Sequence, residues 1–160
     1  MKYFEYSQEI QEPEFLLAKK IAKEIYDFMC TPEISQKINK AHQINAKSQD
    51  IQEIISPKCE ELGLSSEKQG LFSNYEIKLL RPDYFVPLNH SGLIMEVERG
   101  QTKDNNKDIL NLWKCHICNR AEYLILVVPI ARQKNKGGMT KIYKHVVKSN
   151  TDAKENVRKK

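Results

Sequence analysis

The stretch Arg81–Gly100, "RPDYFVPLNHSGLIMEVERG", decides how this chain folds and what it can do. "PDYFVPL" and "LIMEVE" have the length and residue types of strands, and "NHSG" between them supplies turn chemistry, so the segment predicts a hairpin. With the turn centred between Asn89 and Ser91, facing residues carry numbers summing to about 179–181. Asp83 then lies opposite Glu96 or Glu98. Glu96 and Glu98 are two apart and share one face of their strand, while Met95 and Val97 point to the other. The pattern therefore predicts three converging carboxylates, which is unfavourable for a hairpin because like charges facing each other repel. A divalent cation would offset that repulsion: Mg²⁺ is commonly held by one or two carboxylates while keeping waters and phosphate oxygens in its shell. The plainer alternative is a solvated acidic face paired with Arg81, Arg99 or Lys78.

Upstream, three helices are expected. "EPEFLLAKKIAKEIYDFMC" places Phe15, Leu17, Ile21, Ala22, Ile25 and Phe28 at helical spacing behind Pro13. "TPEISQKINKAHQI" opens with a Thr cap and Pro at the first helical position. "SQDIQEIISPKCEEL", from Ser48 to Leu62, contains Pro57 and is closed by Gly63. The texture then changes to "GLFSNYEIKLL", a strand pattern that precedes the hairpin. Downstream, "DNNKDILNLWKCHICNR" returns to helical spacing, and "YLILVVP" is continuously apolar, as a strand buried on both faces should be. A last helix is expected in "GMTKIYKHVVKSN". The order predicts an α/β fold, a mixed central sheet flanked by helices. Residues 1–47 read as an N-terminal helical segment packed on a core of residues 48–150, and 151–160 as a basic tail with almost nothing apolar.

The charge is uneven. From Ala131 to Lys160 there are ten Lys or Arg against two acids, +8, so the remainder of this +5 chain is −3. A basic end of this kind faces a polyanion, usually nucleic acid, or is simply solvated. Lys141, Lys144 and Lys148 recur at three- and four-residue spacing as a helix stripe, and Lys136 lies in the "NKGG" loop. No apolar run reaches the length of a membrane span, and the acidic start differs from a secretion signal, so a cytoplasmic location is expected. Cysteines stand at 30, 59, 115 and 118. Cys115 and Cys118 have zinc spacing, but a second paired unit is missing and the surroundings read as helix interior, which favours reduced, structural thiols. Trp113 and His116, at helical spacing, read as packed residues.

"RPDYF", the thirteen positions from Asp83 to Glu96 in "EVE", the helix "NNKDILNLWK" and the strand "YLILVVP" together resemble the PD-(D/E)XK, or restriction-endonuclease-like, nuclease superfamily. The resemblance covers roughly residues 50–130. The family position usually held by Lys carries Glu98, as in a subset of type II restriction enzymes with Glu-Val-Glu. The resemblance implies a Mg²⁺-dependent endodeoxyribonuclease, with Mn²⁺ as substitute, acting on double-stranded DNA as a homodimer. Asp83, Glu96 and Glu98 would hold the metal, with Glu98 orienting or deprotonating the attacking water. A further acid is expected upstream, Glu67 first, then Glu61 and Glu53, and Lys68 or Lys103 would supply the missing cation. Lys103, Lys136, Lys141, Lys144 and Lys148 would follow the DNA backbone. The alternatives are a non-catalytic DNA-binding protein on the same scaffold and a structure-selective resolvase.

Overall fold

Three helices open the chain, and each begins or turns where the sequence supplies the chemistry. The computed structural model describes residues 1–5, 12–43, 47–67, 81–99, 111, 114–115, 120–133 and 138–148. Helix α1 (Pro13–Cys30) starts with Pro13, whose missing N–H costs nothing in a first turn. It buries Ala18, Ile21, Ile25 and Met29, a stripe spaced by three and four residues. Helix α2 (Pro32–Ala41) follows after the single residue Thr31. Thr31 occupies the expected cap position, but its hydroxyl donates backward to Phe28 O at 2.9 Å, so it closes α1 instead of capping α2. Helix α3 (Ser48–Glu61) buries Ile51, Ile55 and Cys59 and carries Pro57 within it. Gly63, at φ +80°, takes the left-handed conformation that ends a helix.

The sheet comes next. Strands β1 (Ser65–Ser66), β2 (Tyr84–Pro87), β3 (Gly92–Val97) and β4 (Tyr123–Val127) lie in that order. The first two pairings are antiparallel and β3–β4 is parallel, so the sheet is mixed. In the β2–β3 hairpin Tyr84 faces Met95 and Pro87 faces Gly92, a register within the expected range, and Leu88 N donates to Ser91 O at 2.9 Å across the turn. Side-chain alternation separates two cores. Tyr84, Val86, Leu93, Met95 and Val97 pack with the buried stripes of α1 and α3, and Tyr84 Oη donates to Gln52 O at 3.0 Å. On the opposite face Phe85 and Ile94 pack with Ala121, Cys115 and Leu124. Asn111, Lys114 and Cys115, between β3 and β4, are helical.

Two expectations are corrected. Strand β4 is half-buried at all five residues, not enclosed on both faces, because it is the outer strand of the sheet among the described residues. The segment read as a final helix from Gly138 starts instead as strand β6 (Met139–Lys141), paired antiparallel with β5 (Ala131–Gln133). Gly138, at φ +85°, supplies the preceding turn, and the helix occupies 142–148 with Ile142 and Val146 buried. Residues 68–80, which hold the whole of the strand expected before the hairpin, lie outside the described residues, as does the tail. No helix among those described is long and apolar enough to cross a membrane.

Candidate active site

The register that pairs Tyr84 with Met95 sets Asp83, one step before β2, across from Glu96. Its main chain is held from one side by Glu67, whose N–H donates to Asp83 O at 3.0 Å. Its side chain is held from the other: Asp83 Oδ2 accepts the Val97 N–H at 2.7 Å. Glu96 shares the sheet face of Ile94, the face met by the helical residues between β3 and β4. It is 2 % exposed, although few carboxylates are buried so deeply unless paired. The pairing is supplied by Lys114, whose Nζ donates to Glu96 Oε2 at 2.8 Å and to Arg81 O at 3.4 Å. The other carboxylate oxygen, Glu96 Oε1, is buried with no hydrogen-bond partner among the described residues. Two positions on, Glu98 Oε1 accepts from Asn111 Nδ2 at 3.3 Å, and the Asn111 side chain is buried.

These placements set the charge. Burial pushes the Glu96 carboxyl up to about 7, overriding the opposing pull of Lys114, with Asp83 and Glu98 raising it further. Asp83 is raised as well, chiefly by burial. The Val97 N–H and Lys114 oppose that rise, and the charges of Glu98 and Glu67 add to it. Glu98 and Glu67 are therefore within electrostatic reach of the pair. The tight three-carboxylate convergence expected from the sequence is not reproduced: among the described residues no group of three His, Cys, Asp or Glu could hold an ion together. Each acid is turned to its own donor, Asp83 to Val97, Glu96 to Lys114 and Glu98 to Asn111.

Two anchors hold the hairpin. At its turn, Glu14 of α1 accepts from His90 N–H and, at 2.8 Å, from Ser91 Oγ. At the far end of β3, Arg99 Nη2 donates to Gln43 O and lies 3.4 Å from His42 Nδ1, while His42 Nε2 reaches Ala131 O at 3.0 Å. Those contacts assign His42 the tautomer with the proton on Nε2.

Of the other anticipated residues, Glu67 is exposed beside Asp83, Glu53 is exposed on α3, and Glu61 pairs with Lys58 at 2.7 Å. Lys68, Lys103 and Lys136 lie outside the described residues, as do Trp113, His116 and Cys118. Lys141 is exposed at the end of β6, off the helix, so the stripe reduces to Lys144 and Lys148, exposed and four apart on 142–148. Cys115 Sγ lies 3.7 Å from Ala121 O. Sequence reasoning missed Lys114 and Asn111. Their signal was present: three apart in a helical pattern that follows the strand of Glu96 and Glu98, they share a helix face.

Compared with protein-family models, with curated proteins and with solved structures, the chain matches none.

Proposed function

We propose that this chain is a Mg²⁺-dependent DNA endonuclease with a restriction-endonuclease-like core. The observation that carries the reading is the facing pair Asp83 and Glu96, with the buried Glu96 Oε1 left without a hydrogen bond among the described residues. A buried carboxylate oxygen without a donor is costly, and a hard cation satisfies it as a hydrogen bond would. Two carboxylates suit Mg²⁺, which needs few protein oxygens. Supporting features are the antiparallel hairpin, the helical residues after it and the parallel strand that follows, in the order expected. The +8 balance after Ala131 suits a polyanionic partner.

In this reading Asp83 and Glu96 hold the ion, whose chemistry when bound is to acidify water and neutralise charge on the scissile phosphate. Glu98, steadied by the Asn111 amide, orients the attacking water and takes its proton. Lys114 takes the place proposed for Lys68 or Lys103: its ammonium, already against Glu96, is the cation placed to face the charge developing on the phosphate oxygens. The homodimer follows from the need to cut two strands.

One observation favours a second reading. The Lys114–Glu96 ion pair neutralises the buried acid internally, as a DNA-binding protein that has lost cleavage would need. Supercoiled plasmid incubated with Mg²⁺, with Mn²⁺ and with a chelator separates the two. The nuclease nicks or linearises plasmid only with metal; DNA retardation with no cleavage in either metal establishes the binding protein instead.

A further inference from the structure

Past the end of β3 the chain gathers positive charge on the sheet face opposite Glu96. Arg99 Nη2 donates to Gln43 O, just after α2, whose Ile38 and Ala41 pack with the core that holds Met95 and Val97. His42 joins this guanidinium to the segment after β4: its Nδ1 lies 3.4 Å from Arg99 Nη2, and its Nε2 donates to Ala131 O at 3.0 Å. Arg132 follows that carbonyl directly and begins the run of ten cationic residues after Ala131. His42, Arg99 and Arg132 are all half-buried.

Two half-buried guanidinium groups so close together are unfavourable until an anion joins them. Burial holds Arg99 below the usual arginine range; Asp50 opposes that shift, and the like charge of Arg132 adds to it. Among the described residues no carboxylate forms an ion pair with Arg99, and its Nε is buried without a hydrogen-bond partner. Asp50, whose charge reaches Arg99, turns its Oδ2 to the Lys47 N–H at 2.9 Å. Both contacts of Arg99 use Nη2, so an oxyanion on Nη1 would leave the anchor on Gln43 intact.

We propose that Arg99 and Arg132 together hold a backbone phosphate of DNA, with His42 tying the two segments that carry them. A diester phosphate offers a free oxygen to each guanidinium, and arginine suits that recognition because its planar fork stays charged. The surroundings favour nucleic acid over a small free phosphate. Arg132 opens a stretch of +8, and Lys144 and Lys148 stand exposed on the helix that follows. The subsite rests on the DNA-binding part of the function proposed above and not on cleavage. Glu98 meets Asn111, whereas Arg99, next in the chain, meets Gln43 on the other side. The phosphate on Arg99 is therefore a flanking one, distinct from the one beside Glu96. Its role is to fix the position of the strand, which phosphate contacts do without reading sequence.

Fluorescence anisotropy of a labelled duplex, in a chelator and at several salt concentrations, tests the subsite. Arg132→Ala is expected to reduce the slope of log affinity against log salt by about 0.9, equally on unrelated sequences, and Arg132→Lys to restore it. Lys23→Ala removes the same charge from an exposed pair with Asp27 on α1 and is expected to leave the slope unchanged. A folded Arg132→Ala with the wild-type slope, or an equal loss in Lys23→Ala, overturns the proposal. If Arg132→Ala fails to fold, nitrogen NMR of the wild type decides: the Arg99 Nε and His42 ring signals are expected to shift on adding duplex, and signals that stay in place overturn the proposal. Signals that move with inorganic phosphate but not with duplex also overturn it and assign the pair to a small free anion. A wild type that shows the salt effect yet never cuts DNA with Mg²⁺ or Mn²⁺ keeps the subsite and removes the nuclease reading. Cleavage alongside an unchanged Arg132→Ala slope does the reverse.

Discussion

Glu96 is an acid poised between charged and neutral. Its carboxyl is raised from 4.5 to about 7 by burial, so between those values the folded protein holds a proton that the unfolded chain releases. The stabilisation from this group is full below about 4.5 and is lost as pH rises through about 7, on the order of 3 kcal/mol in all. Glu96→Gln fixes the side chain in its neutral form, and urea titrations between pH 5 and 8 are expected to show a shallower fall in stability than the wild type. Protons and Mg²⁺ compete for the same oxygens. The thermal shift produced by millimolar Mg²⁺ is therefore expected to be larger at pH 8 than at pH 6 and absent in Asp83→Asn. That variant keeps an oxygen to accept the Val97 N–H, so its fold should persist while metal-dependent cleavage is lost. A full Mg²⁺ shift in Asp83→Asn would remove this residue from the site.

At the scale of elements, the hairpin depends on Gly92, where β3 begins beneath Phe85. A Cβ there would stand 2.4 Å from Arg120 O and 2.4 Å from Phe85 Cε2. The ring can turn; the backbone carbonyl cannot withdraw without moving the segment before β4. Gly92→Ala is expected to cost about 1–3 kcal/mol in chemical denaturation, the usual range for overpacking, and to disturb the Asp83–Glu96 register. Gly138→Ala is the contrast: nothing lies within 4 Å of its Cβ, and the penalty comes only from φ +85°, about 1–2 kcal/mol. The hairpin register was legible to within a residue or two, because every facing pair follows once the turn centre is placed between Asn89 and Ser91. Lys114 was not legible in the same way. Its distance to Glu96 depends on how a helix lies over the sheet, which spacing along the chain does not specify.

At the scale of the whole molecule, the basic end is the feature a polyanion would meet first. Residues 152–160 carry Lys154, Arg158, Lys159 and Lys160 against Asp152 and Glu155. Deleting them is expected to leave the thermal transition unchanged. Each lost phosphate contact weakens DNA binding and reduces the slope of log affinity against log salt by about 0.9, read by fluorescence anisotropy at several salt concentrations. An unchanged slope would show that the tail is solvated, and would move attention to the exposed Lys144 and Lys148.

The sequence by itself determined the helical N-terminal third, the hairpin and the placement of Asp83 across from Glu96 or Glu98. These follow from local periodicity, proline and glycine positions, and turn chemistry, all written within a few residues of where they act. Only the tertiary structure decided that Asp83 faces Glu96 and not Glu98, that β4 is the outer strand among the described residues, and that Lys114 and Asn111 claim Glu96 and Glu98. It also decided that the three carboxylates turn to separate donors rather than to one point. An unbroken apolar run reads the same whether a strand lies at the centre or the edge of a sheet, and the direction of a side chain is settled by donors that arrive from distant parts of the chain.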